Sequence, residues 1–306
     1  IQELAERFTQ MQAAQASAER LQGLLETEPE IRDSPQVAER AAKGMEVLDE
    51  PIADVVFKGV SFEYKGGERV LDRFNLRVEA GRTIALVGAT GSGKTTIVSL
   101  LSRFYEPTSG SIRINGIDYR DRSMRWLQRK LGIVLQAPHL FAGSIRENIR
   151  YGRLDATDEE IVHAAEHVNA DRFIRALPDG YDTDVGEGGN RLSTGQKQLL
   201  SLARAVLADP EIFILDEATS SVDTETERLI QDGIERMLRG RISFIIAHRL
   251  STIRTADRIL VIERGRIVED GNHEELIRMR GRYYGLYTSQ FTKENQERAL
   301  REATGA

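Results

Sequence analysis

The run Gly88-Ala89-Thr90-Gly91-Ser92-Gly93-Lys94-Thr95 constrains this chain more than any other feature. It spells G-x-x-x-x-G-K-[ST], follows the short apolar segment Arg82–Val87 and precedes Lys94–Phe104, whose apolar residues have helical spacing. The glycines let the backbone curl so that successive N–H groups converge on anionic oxygens. A helix starting near Lys94 adds the partial positive charge of its N-terminus. In that setting Lys94 is placed to reach β- and γ-phosphates, and the Thr95 hydroxyl to ligate Mg²⁺. A strand, a phosphate loop and a helix in succession imply a nucleotide phosphate site in an α/β domain.

The rest of the pattern agrees. Val55–Tyr64 and Leu71–Val78 are rich in β-formers and flank the turn signal Lys65-Gly66-Gly67-Glu68. Strand-like runs recur at Ser111–Ile114, Gly132–Leu135, Glu211–Leu215, Ile242–Ile246, Arg258–Ile262 and Arg266–Glu269. Helical spacing falls between them, at Ser123–Lys130, Asp158–Leu177, Ser193–Ala208, Thr224–Leu238 and His273–Arg278. Strands alternating with helices predict a largely parallel central sheet, with Asp158–Leu177 inserted into it as a helical block. Ahead of all this, Ile1–Leu25 carries an apolar stripe at steps of three and four. Thr27–Pro51, with Pro29, Pro35 and Pro51, reads as linker, which puts a domain boundary near residue 51.

Composition removes several classes. With 40% hydrophobic and 29% charged residues the chain is globular, not disordered. It has no cysteine, so disulfides and thiol chemistry are excluded. No apolar run approaches the ~20 residues that span a bilayer, and the chain is expected to be soluble as it stands. The net charge of −6 lies entirely in residues 1–50, where eleven acids face five bases. The remainder balances, without the basic excess of a nucleic-acid binder.

A second site signal is Ile212-Phe213-Ile214-Leu215-Asp216-Glu217, an apolar strand ending in two carboxylates. One carboxylate can stabilise a metal shell while another group polarises the attacking water; Asp216 and Glu217 are the candidates. At this point the chain resembles the nucleotide-binding domain of ATP-binding cassette (ABC) transporters over about residues 52–290. Leu192-Ser193-Thr194-Gly195-Gln196 is similar to the family signature Leu-Ser-Gly-Gly-Gln, with Thr194 replacing a glycine. Gln136 resembles the Q-loop glutamine, Ser220-Ser221-Val222-Asp223 the D-loop, and His248 in Ile246-Ala247-His248-Arg249-Leu250 the switch histidine. Tyr64 stands 24 residues before the phosphate loop, where the family places an aromatic that stacks on adenine.

The resemblance implies a P-loop NTPase core with a mainly parallel sheet, an antiparallel β subdomain and an inserted α-helical subdomain. It divides the chain into helix and acidic linker (1–50), ATPase domain (51–290) and a charged tail (291–306). ATP and Mg²⁺ are the implied cofactors. Gly88, Ala89, Thr90, Gly91, Ser92, Gly93, Lys94, Thr95 and Thr96 would hold the nucleotide, with Tyr64, Ser193, Gly195, Gln196 and Asp223. Thr95, Gln136 and Asp216 would hold the metal, while Glu217, His248, Lys94 and Gln136 would carry the chemistry. The implied partners are a second ABC ATPase domain, from an identical or a homologous chain, joined head to tail around two ATP, and a transmembrane domain. The implied place is the cytoplasmic face of a membrane.

Three segments resemble exporters with fused membrane and ATPase parts. They are the helix Ile1–Leu25, Asp184-Val185-Gly186-Glu187-Gly188-Gly189 (similar to the X-loop, with Gly188 where arginine is usual) and Phe141–Ile149 after the Q-loop. A soluble ABC ATPase acting on DNA or ribosomes is expected to carry basic tracts or coiled-coil insertions. A module that holds ATP without turnover is expected to lack Glu217 or His248. The chain shows neither pattern.

Overall fold

In the computed structural model, the described residues are 2–216, 224–246, 250–289 and 291–292, without the side chains of 224, 225, 250 and 251. The chain divides into two compact units, Ile1–Arg32 and Asp33–Ala306. The first holds helix α1 (Gln2–Leu25), which buries none of its residues.

The second unit opens with α2 (Pro35–Ala42), capped by Ser34, whose side chain accepts from the Val37 N–H. The compact unit thus begins at Asp33 and takes in residues 33–50, which the sequence presents as linker. Val37 is buried, and Asp33, Glu46 and Glu50 bond into the domain.

Two sheets follow. Strands β1 (Asp54–Glu63), β2 (Arg69–Glu79), β4 (Ser109–Ile114) and β5 (Ile117–Asp118) form an antiparallel sheet in the order β2-β1-β4-β5. The second sheet contains β3 (Thr83–Val87), β6 (Leu131–Val134), β7 (Ile212–Asp216), β8 (Ile242–Ile246), β9 (Arg258–Glu263) and β10 (Arg266–Gly271). Its order is β10-β9-β3-β8-β7-β6, parallel except for the antiparallel edge pair β9–β10.

The apolar runs of the inner strands are explained by burial on both faces. Successive side chains point to opposite sides of a sheet. Ile84, Leu86, Ile212, Ile214, Phe244 and Leu260 pack into one core with the antiparallel sheet. Ala85, Val87, Phe213, Leu215, Ile245 and Val261 pack into the other, against the helices.

Helices α3 (Lys94–Leu101) and α4 (Met124–Lys130) lie between β3 and β6 in the chain. The inserted helical layer spans β6 to β7, with α5 (Ile145–Arg150), α6 (Asp158–His167), α7 (Asp171–Arg175) and α8 (Thr194–Leu207). Helices α9 (Thr224–Leu238), α10 (Leu250–Thr255) and α11 (His273–Met279) complete the named elements.

Two predicted helices end early for a local reason. The Asp158–Leu177 block breaks at Asn169, which adopts φ +62° while Ala170 N–H bonds to Ala165 O. Asparagine tolerates this left-handed capping position, so α6 and α7 are separate. Lys94–Phe104 stops at Leu101, where Arg103 takes the same role at φ +55°. Helix α5 has no counterpart among the helices predicted from periodicity. Its start is the capping box of Ser144 and Glu147.

Candidate nucleotide-phosphate site

The loop leaves the C-terminal end of β3, a position flanked by β8 and β9. Gly88 has φ +153°, and a Cβ there would collide with the Ile262 carbonyl oxygen and crowd Ser92 Oγ. Gly93 caps α3 at φ +108°, where a Cβ would sit 3.0 Å from Leu71 Cδ2. Only glycine fits both positions. The curl is held by Ser92 N–H to Ala89 O at 3.1 Å and by Gly265 N–H to Ser92 O at 3.0 Å.

Lys94 begins α3 and is buried at 7% exposure. Its Nζ donates to Gly88 O and Ala89 O, each at 2.8 Å. Burial pushes the ammonium pKa down, and the Asp216 carboxylate pulls it partly back. A desolvated cation satisfied by two carbonyls retains positive charge for an incoming anion. Ser92 Oγ is buried with no hydrogen-bond partner. An orphaned hydroxyl inside a curl of amides, beside a desolvated cation, fits a phosphate.

Thr95 is exposed at the first turn of α3, and Asp216 is half-buried at the end of β7. Among the described residues no cluster of three His, Asp or Glu could hold a metal. The set suits Mg²⁺, which binds through one or two protein oxygens plus substrate phosphates and water.

Tyr64 lies beside this loop. Its hydroxyl is 3.1 Å from Thr96 Oγ1, and its ring meets Phe62 and Tyr105 edge-on at 4.8 and 5.2 Å. Tyr64 as a whole is 37% exposed.

The signature residues stand apart in the helical layer. Ser193 caps α8, accepting from Gln196 N–H at 3.2 Å, while Gln196 Oε1 accepts from Ser193 N–H at 2.9 Å. Thr194 occupies the first helical position and is exposed, so the replaced glycine meets a backbone that threonine adopts freely. Among the described residues no hydrogen bond or ion pair joins Ser193, Gly195 or Gln196 to the 88–96 loop. Gln136 is exposed in the turn after β6. Glu217, Asp223 and His248 lie outside the described residues. In the chain, Glu217 follows the end of β7 and His248 follows β8.

One connection is not evident from the sequence. Arg204 of α8 donates from Nε to Asn148 O at 2.9 Å, from Nη1 to His139 O at 3.0 Å and from Nη2 to Asn148 Oδ1 at 2.9 Å. Its guanidinium also lies over the rings of Phe141 and Tyr151. The signature helix is thereby fastened to the segment after Gln136. The only sequence signal is an arginine among the apolar residues Leu200, Ala203 and Leu207. The segments 141–149 and 184–189 are joined too, by a Ser144–Asp184 bridge and by Val185 N–H to Gly143 O at 2.9 Å.

Comparison with known proteins places this geometry. Residues 71–220 match the family described as ABC transporter. The chain is 46% identical to the ATP-dependent lipid A-core flippase of Desulfotalea psychrophila, over 92% of this chain and 47% of that protein. It is 49% identical to the fatty acid ABC transporter ATP-binding/permease protein of Mycobacterium bovis, over 94% of this chain and 44% of that one. Among solved structures, a bacterial Atm1-family ABC exporter with ATP bound superposes with a TM-score of 0.81 at 38% identity, covering 92% of this chain and 47% of that chain. The chain thus spans slightly under half the length of these relatives. It carries the nucleotide-binding domain of the ABC transporter family.

Proposed function

We propose that the chain is the ATP-hydrolysing motor domain of an ABC exporter, working at the cytoplasmic face of a membrane with a transmembrane domain. The observation that supports this most is the Lys94 cage, where a desolvated ammonium and the unpartnered Ser92 hydroxyl line one glycine-rich curl. In this reading the 88–95 amides and Lys94 bind the phosphates, and Tyr64 offers its ring to adenine. Thr95, Asp216 and Gln136 would hold Mg²⁺, which when bound would supply neutralisation of the phosphate charge. Glu217 polarises the water, and His248 bonds the γ-phosphate.

The signature supplies the second half of the site. Among the described residues Ser193, Gly195 and Gln196 share no hydrogen bond with the loop of their own chain, which favours a head-to-tail dimer in which each protomer completes the other's site. Closed two-fold symmetry repeats that contact twice. ATP then holds two protein surfaces together, and hydrolysis releases them. Arg204 carries the signature helix and the segment after Gln136 as one body, which suits conversion of closure into motion of a membrane partner. The names of the relatives, a flippase, a fatty acid transporter and an exporter, favour transport over a soluble ABC ATPase. The test is a MgATP titration of the wild type beside Lys94→Ala: binding lost in the variant supports the reading, and equal affinity contradicts it.

A further inference from the structure

The acidic excess of residues 1–50 has no part in the nucleotide chemistry, yet the structure gives its last third specific partners. Asp33 Oδ1 accepts from Arg103 Nη1 at 3.1 Å and from Met124 N–H at 3.0 Å. Farther along, Glu46 accepts from Ser123 N–H at 2.8 Å, the Val47 carbonyl from Trp126 Nε1 at 3.0 Å, and Glu50 from Arg122 Nη2 at 2.6 Å. Residues 33–50 are therefore a strap, not a loose linker. Most of it grips residues 115–126. Asp33 reaches the end of the phosphate-loop helix.

Arg103 is an unusual residue for that end. Helix α3 closes with Arg103 N–H to Leu100 O at 3.1 Å and Phe104 N–H to Ser99 O at 3.0 Å, the two bonds of a Schellman cap. The residue between must adopt the left-handed conformation, and Arg103 does so at φ +55°. Glycine would fill that position without strain. Arginine there is 2% exposed, with its Nε on Glu106 Oε1 at 2.9 Å as well as its bond to Asp33. A cation at this terminus also complements the helix dipole. The strained backbone is thus kept together with an ion pair from the buried arginine to the first residue of the compact unit.

We propose that Asp33 and Arg103 are positioning residues that tie the chain entering the domain to the phosphate-loop helix. Helix α3 has eight residues and is about 12 Å long at ~1.5 Å per residue, so Arg103, two residues past its end, lies roughly one helix length from Lys94. Nucleotide at the N-terminus of α3 and the Asp33–Arg103 pair at its C-terminus act on the same helix, so any shift of α3 that accompanies nucleotide binding is felt at the strap. Each therefore changes the free energy of the other by linkage. This rests on the reading of the 88–95 loop as an ATP site.

The test uses the 306-residue chain with MgATP. Hydrogen exchange of the wild type should show residues 33–37 and 99–104 gaining protection on MgATP binding, together with 88–95. Arg103→Gly keeps the cap, because glycine suits its conformation, and removes the link. It should raise the Kd for MgATP at least about fivefold, the lower end of ordinary coupling between sites, and abolish the added protection at 33–37. Glu50→Gln loosens the strap without touching α3 and should lose stability while keeping the wild-type Kd. The proposal is overturned if protection at 33–37 does not respond to MgATP in the wild type. It is equally overturned if Arg103→Gly binds MgATP like the wild type. A wild type that binds no MgATP would overturn the underlying site reading instead.

Discussion

Arg204 Nη2 and Asn148 Oδ1 lie 2.9 Å apart, and the same guanidinium reaches the Asn148 and His139 carbonyls. Helix α8 and the segment following Gln136 are locked by one side chain. Burial lowers the Arg204 pKa, and Tyr151 opposes that slightly. Charged hydrogen bonds in such a place contribute ~1.5–3 kcal/mol each at most, with strong non-additivity. Arg204→Ala should therefore destabilise the domain by about 2–4 kcal/mol. A urea midpoint equal to that of the wild type would contradict the bracket.

Tyr64 should act on the base and not on the phosphates. Tyr64→Ala is expected to weaken ATP binding by about 1–3 kcal/mol, the range for base–aromatic stacking, and to leave the affinity for tripolyphosphate unchanged. Tyr64→Phe should keep most of the ATP affinity, losing only the hydroxyl contact with Thr96. Calorimetric titration with both ligands separates these. Equal ATP affinity in Tyr64→Ala would return the ring to a purely structural place beside Phe62 and Tyr105.

Glu50 predicts a pH dependence. The Asn115 amide first, then Arg122, holds its carboxyl below the ordinary range, against the opposing effect of burial. A carboxyl whose folded pKa is depressed contributes stability above its unfolded value, near ~4.3, and loses it as pH falls through the folded value. Its side chain is 33% exposed, so solvent screening limits the contribution to roughly 0.5–1 kcal/mol. Glu50→Gln should cost that much at pH 7 and less at pH 3, below the unfolded value. Denaturation curves at both values check it, and a gap that widens in acid would contradict the assignment.

Thr194 marks the one departure in the signature, and the structure predicts a small consequence. The position is the exposed first residue of α8, so Thr194→Gly relieves no strain. The variant should change the ATPase rate by less than about threefold, or ~0.7 kcal/mol in the barrier. A large gain would mean that the threonine side chain obstructs the facing phosphate.

Much of the fold and of the phosphate site is legible in the amino-acid sequence. Strands β3, β7, β8 and β9 can be read because burial on both faces makes them continuous apolar runs, and the phosphate loop because Gly88 and Gly93 admit no other residue. Helix ends are harder. Asn169 and Arg103 stop their helices through left-handed caps, and an arginine there gives no warning in the sequence. The strap is hidden for a different reason. Its proline and acids have the composition of a solvated linker, and the acids' partners, Arg103, Asn115, Arg122 and Ser123, lie more than sixty residues away in the chain. Arg204 is obscured likewise, since an arginine on an apolar helix face does not announce carbonyl acceptors from another segment.

In the proposed function, two copies of this domain close around ATP and hydrolyse it with Glu217. This is tested most directly by the Mg²⁺-ATPase rate against protein concentration, with Glu217→Gln run alongside. The account predicts a rate that rises faster than linearly with concentration and is lost in the variant. Abundant hydrolysis that is strictly linear in concentration and unchanged by Glu217→Gln would contradict it.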